Sequence, residues 1–224
     1  MLMQLQYGQI VQYIPDFFAG ALVALELSVL AFLIGVILGL VGAATITYGN
    51  MPARIAVRCY VSFFTNTPQL VQIFFLFFAL PEFGILLSPY QAVLLGMTLN
   101  AAGYLTEIQR AGFQSIQRAE VEAAETLGFS RVQTVWYVIA PHIIRALYPA
   151  LSNHYILMTL GTSMAAIFGV EELTGRALNA NAISFRSFEI FSVTALIYIG
   201  LTIVASVILY ALGRYFFRVK VKVF

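Results

Sequence analysis

Residues 27–53 read LSVLAFLIGVILGLVGAATITYGNMPA, a run without a single Asp, Glu, Lys or Arg. A helix needs about 20 mainly apolar residues to cross the hydrocarbon core of a bilayer, so this stretch reads as a membrane span. Four more uncharged windows have the same character: 59–81, 83–106, 146–170 and 190–213. In lipid the backbone must be hydrogen-bonded internally, and these unbroken apolar runs suit helices rather than barrel strands. The expectation is an all-α membrane protein, a single domain over 1–224 with five transmembrane helices. The spans are placed at roughly 19–46, 57–80, 87–110, 147–169 and 189–213.

Composition agrees. The 224 residues are 61% hydrophobic and only 10% charged, with mean hydropathy +0.89. A soluble domain carries roughly 45–50% apolar and about 25% charged residues. Too little polar surface remains for a water-facing globule, which excludes a cytosolic enzyme, a disordered regulator and a nucleic-acid binder. The formal net charge is +2, and no basic stripe runs along any helix. Cys59 is the only cysteine, so a disulfide framework and a cysteine-rich metal site are excluded. His142 and His154 read as isolated and lack metal-ligand spacing, so no metal is expected.

Ten of the twelve basic residues fall on one side of this arrangement: Arg54, Arg58, Arg110, Arg118, Arg131, Arg145, Arg214, Arg218, Lys220 and Lys222. The other side receives only Arg176 and Arg186. By the positive-inside rule the N-terminus is outside and the C-terminus cytoplasmic. Pro15-Asp16-Phe17-Phe18 reads as an interfacial lead-in to the first span.

The longest loop, 111–145, is then cytoplasmic. Residues 118–127 favour a helix, with Val121, Ala124 and Leu127 at three-residue spacing, and Gly128 reads as its C-terminal cap. A second amphipathic stretch sets Val132, Val135, Trp136 and Ile139 on one face before Pro141, which is expected to break it. Periodicity alone fits either an inert interfacial helix pair or a docking surface.

Glu122-Ala123-Ala124, three residues, Gly128, nine residues, then Val138-Ile139-Ala140-Pro141 resembles the "EAA loop" of ABC-importer permeases. Val138 and Ala140 depart mildly from the family's Ile and Leu. Further fragments are similar to the polar amino-acid uptake branch. They are Thr67-Pro68 with Leu70-Val71-Gln72, Tyr104 with Glu107-Ile108 and Arg110, and Thr162-Ser163 with Glu172-Leu173. The likeness runs from about Gly20 to Arg218. It implies a type I importer permease in the bacterial cytoplasmic (inner) membrane, embedded in the lipid bilayer. It also implies a second permease subunit, identical or not, two ABC ATPase subunits and an extracytoplasmic solute-binding protein. Glu122, Ala123, Ala124 and Gly128 would form the ATPase-coupling element. No cofactor is expected on this chain: its only lysines, Lys220 and Lys222, each precede Val, so no phosphate loop exists. ATP and Mg belong on the ATPase subunits.

Polar residues inside spans are costly unless used or paired. The second span offers Thr65, Gln69 and Gln72 on a shared face, and Pro68 is expected to break the same helix near its middle and free backbone carbonyls. The third offers Asn100, Tyr104 and Glu107, and the fourth Thr159, Thr162 and Ser163. The expected solute contacts are Gln69, Tyr104, Thr162 and Ser163, while Glu107 suits an ion pair with Arg110. Many relatives carry an Arg where Thr65 stands and a charged residue near Leu160-Gly161, so this pocket has lost charges. The solute expected is an amino acid or related small polar metabolite. The alternatives are a membrane-embedded enzyme, for which no nucleophile–base pair is evident, and a passive channel, which leaves the EAA spacing unexplained.

Overall fold

The computed structural model describes residues 5–217, and Arg218, Lys220 and Lys222 lie outside them. Regular structure among the described residues is helical. The helices are α1 (Ile14–Tyr48), α2 (Met51–Asn66), α3 (Gln69–Phe74), α4 (Pro89–Gln114), α5 (Arg118–Thr126), α6 (Arg131–Thr134), α7 (Ala140–Gly161), α8 (Leu173–Ser184) and α9 (Ser187–Phe217). Two helices, over Tyr7–Tyr48 and Ser187–Phe216, are individually long and apolar enough to cross a membrane. The number rises to four if each of two bent pairs counts as one span: Met51–Asn66 with Gln69–Phe83, and Arg131–Phe168 with Leu173–Ser184. At 26 residues α4 is about 39 Å long, but Asn100, Glu107 and Arg110 interrupt its apolar run.

The second apolar window is broken near its middle at Pro68, as expected. Pro68 is extended, at φ −61° and ψ 132°, and ends α2 before α3 begins. The expected shared face of Thr65, Gln69 and Gln72 therefore does not exist, because Thr65 belongs to a different helix. Pro141, by contrast, does not break its helix. Inside an α-helix a proline ring collides with the carbonyl four residues earlier. Here a π-helical turn over Val135–Ile139 comes first, with the Ala140 N–H donating to the Val135 carbonyl. The widened turn draws the clashing carbonyl out of the ring's path, and the helix continues as α7. The same device precedes Pro81: a π turn over Phe75–Ala79 and a bond from Leu80 N–H to the Phe75 carbonyl. A further helix, α8, occupies a segment read as a loop between spans.

The chain divides into two compact units, to both of which α1, α4, α7 and α9 contribute. Among the described residues the first comprises 5–33, 67–98 and 155–205. Its core joins Ile10, Phe17 and Ala21 to Leu173, Ala177, Ala180 and Ile190. The lead-in before α1 is therefore packed, and it is also tied by polar bonds. Gln6 N–H donates to Glu189, and Arg186 donates to the Gln6 side chain, at 3.0 and 2.9 Å. In the same unit the rings of Phe74 and Phe77 meet Phe168 edge-on, with centroids 5.0 and 5.7 Å away. Tyr90 donates to Glu26 at 2.9 Å, tying α4 to α1.

Among the described residues the second unit comprises 34–66, 99–154 and 206–217. Here α1 lies directly on α4 through glycines. A Cβ built on Gly39 would sit 2.8 Å from Leu105 Cβ and 3.0 Å from the Leu105 carbonyl carbon. Only a residue without a side chain allows two membrane helices to approach so closely. Gln109 adds a bond to the Val36 carbonyl at 3.1 Å, and Tyr148 donates to the Leu209 carbonyl of α9.

Candidate functional site

Breaking a helix at Thr67-Pro68 leaves the last carbonyls of α2 without intrahelical donors. Two of them are met from α4: Asn100 Nδ2 donates to Phe64 at 3.0 Å and Tyr104 Oη to Thr65 at 3.2 Å. One turn further in, Thr65 Oγ1 donates to Val61 and Asn66 Nδ2 to Ser62, at 2.8 and 2.7 Å. Beyond the helix, Gln72 Nε2 of α3 turns back to the Thr67 carbonyl and hydroxyl at 3.1 and 2.7 Å. The carbonyls of Phe64, Thr65 and Thr67 thus already hold donors from this chain. Glu107, the third polar residue of that α4 set, instead pairs with Arg110 at 2.6 Å, as expected.

The four expected solute contacts divide between the units. Gln69, Thr162 and Ser163 belong to the first, Tyr104 to the second. Gln69, at the start of α3, is half-buried, and its Oε1 lies 3.9 Å from where a Cβ on Gly161 would stand. That brings it beside the turn that opens with Thr162 and Ser163. Thr162 is fully buried and donates to the Thr159 carbonyl at 2.7 Å. Ser163 is half-buried and donates to the Leu160 carbonyl at 2.9 Å. Each hydroxyl spends its proton on the helix end, so Ser163 offers outward only oxygen lone pairs. Gln69 offers both amide donors and an acceptor. Tyr104 has its proton on Thr65 and stacks its ring toward His154, with centroids 5.8 Å apart.

Sequence reasoning did not single out the buried cluster in the first unit. Glu172 has no exposed surface; one oxygen accepts from the Gly175 N–H at 2.9 Å, capping α8, and the other from Tyr198 Oη at 2.8 Å. Tyr198 also lies 2.9 Å from Thr174 Oγ1, and Thr162 joins the same hydroxyl. An acid three residues before Gly175, at the head of a helix-forming run, was the available signal.

The coupling residues sit on α5 and its end. Ala124 is 3% exposed and faces its own chain, whereas Glu122 and Ala123 are open. Gly128 has φ +80°, a conformation that suits glycine. Its N–H donates to Glu125, and Phe129 N–H reaches back to Ala124, closing the helix in a Schellman motif. Ser130 and Gln133 then cap α6 reciprocally. Leu127 does not join the inner stripe: past the last helical turn, it is 76% exposed. Val132 and Trp136 are also open, at 67% and 68%. Nor is His142 isolated, since its Nδ1 lies 3.3 Å from Glu120 Oε2.

Residues 31–218 match the family model for the inner membrane component of binding-protein-dependent transport systems. The chain is similar to the glutamine transport system permease protein GlnP of Escherichia coli K12, 35% identical over 214 residues, covering 95% of this chain and 98% of that protein. It is 33% identical over 168 residues to the L-cystine transport system permease protein TcyB of Bacillus subtilis, covering 75% and 72%. A crystal structure of an amino acid ABC transporter with histidines aligns with TM-score 0.87 at 30% identity, covering 95% of this chain and 100% of that one. An inward-facing MetNI methionine ABC transporter shares the fold, with TM-score 0.64 at 16% identity over 92% of this chain and 99% of that one.

Proposed function

Because the chain belongs to the family of inner membrane components of binding-protein-dependent transport systems and is a permease of an amino acid ABC transport system, we propose that it passes a neutral polar amino acid inward. ATP hydrolysis in such systems resides on a partner, and here the partners are two ATPases that bind ATP and Mg. The five-span arrangement with an external N-terminus, the loop 111–145 on the cytoplasmic side and a single domain over 1–224 are part of this reading. So are a second permease subunit and an extracytoplasmic solute-binding protein.

The observation that carries the proposal is the α5–Gly128–α6 element. It holds itself by Ala124 and displays Glu122, Ala123 and Leu127. ATP-bound ATPases that grip this element more tightly in one permease conformation shift the population toward it, and hydrolysis releases the bias. Ala123 allows close approach, Glu122 presents a charge to a basic partner, and Gly128 makes the turn.

For the solute, Gln69 and Ser163 are assigned the direct contacts. Thr162 holds the turn that presents Ser163. None carries a full charge. An unpaired charge in a low-dielectric site costs several kcal/mol, so this set favours neutral side chains. The glutamine named for the Escherichia coli relative is of that class.

The test is co-expression with the candidate ATPase and binding protein, followed by uptake of each common amino acid into proteoliposomes. ATP-dependent uptake of a neutral polar amino acid is expected. Failure of any ATPase to co-purify, or uptake that ignores ATP, would overturn the proposal.

A further inference from the structure

Only one residue of α5, Ala124, is buried. A nine-residue helix held by one alanine is free to roll about its axis unless something else fixes it. Glu120 lies four residues before Ala124, on the same helical face. Its carboxylate meets His142 Nδ1 of α7 at 3.3 Å, and the two side chains are 38% and 33% exposed. The contact is an ion pair when the imidazole is protonated and a polar contact otherwise. Packing at Ala124 and the contact at Glu120 together form two attachment points one helical turn apart. With both in place, Glu122, Ala123 and Thr126 face away from the chain, and all three are exposed.

We infer that Glu120 and His142 are a positioning pair: they fix which face of α5 meets the ATPase and make α5 and α7 move together. The inference rests on reading 118–128 as the coupling element. His142 is well placed for this, since it enters α7 one residue after Pro141, immediately beyond the π turn over Val135–Ile139. A pull on α5 alone meets the short α6 and that widened turn, whereas the Glu120–His142 contact bypasses both and reaches regular α-helix directly.

The test uses the assembled complex of permease and ATPase in nanodiscs, in a Cys59→Ser background with spin labels at Ala119 and Ala146. Distances are compared between nucleotide-free and ATP–vanadate states, alongside the stimulation of ATP hydrolysis by loaded binding protein. Unsubstituted Glu120–His142 should give one distance in both states. Glu120→Ala and His142→Ala should each add a second population and lower stimulation about three- to fivefold, the scale of one exposed polar pair. The double alanine variant should be no worse than either single. Glu120→Gln, which keeps the side chain's length and a polar oxygen facing His142, should behave like the original.

Single-distance behaviour and full stimulation in Glu120→Ala would overturn the inference, as would a Glu120→Gln variant as defective as Glu120→Ala. Gly128→Leu is measured in parallel to separate the two levels of the argument. If it also leaves stimulation intact, the coupling reading itself falls. If it alone abolishes stimulation, only the positioning pair falls.

Discussion

Asn100 donates its side-chain amide to the backbone carbonyl of Phe64 at 3.0 Å, so a polar residue of α4 closes the open end of α2. A buried carbonyl that loses its donor costs about 1–3 kcal/mol. Asn100→Leu should therefore lower the thermal stability of the solubilised protein by that order, read by size-exclusion after heating. Tyr104→Phe removes a more exposed bond at 3.2 Å and should cost less, about 0.5–1.5 kcal/mol. Equal and negligible effects would mean that the α2 end finds other donors.

At Gly39 the space for a side chain is taken by α4 backbone, which cannot swing aside as a flexible side chain can. Gly39→Val should force α1 and α4 apart and cost about 1–3 kcal/mol or more. The expected readout is a lower yield of monodisperse permease and loss of the co-purified ATPase. Normal yield and melting temperature would show that the α1–α4 approach tolerates a wider spacing.

Gln69 and Ser163 are the proposed solute contacts. Gln69→Leu and Ser163→Ala should each raise the half-saturating solute concentration, by about 5- to 10-fold for a lost bond to an uncharged or zwitterionic solute. Basal ATP hydrolysis should be unaffected. If affinity is unchanged in both, while a substitution in a sister permease abolishes it, these side chains only pack.

Topology is open to direct measurement. In the proposed five-span arrangement ten of the twelve basic residues lie on the cytoplasmic side, so a reporter fused after Phe224 should be cytoplasmic and one fused before Met1 external. Both reporters on one side would require an even number of spans.

The membrane class, the apolar windows and the α5–Gly128–α6 element were legible in the sequence, because each rests on a local rule. Charge-free length marks an apolar window, a helix-forming run marks α5, and a glycine that must take positive φ marks its end. The Glu107–Arg110 pair was legible for the same reason, being three residues apart on one helix. What the tertiary structure decided is where each polar group spends its hydrogen bonds. Gln72 points back to Thr67, Asn100 and Tyr104 reach across to α2, and Glu120 finds His142. Periodicity places side chains on a face without saying which backbone carbonyl lies opposite. Pro68 breaks its helix as the sequence predicts, but whether Pro141 does depends on the turn before it, and a π turn is invisible to residue spacing. Burial of Glu172 needed contacts from α8 and α9, which no local pattern encodes.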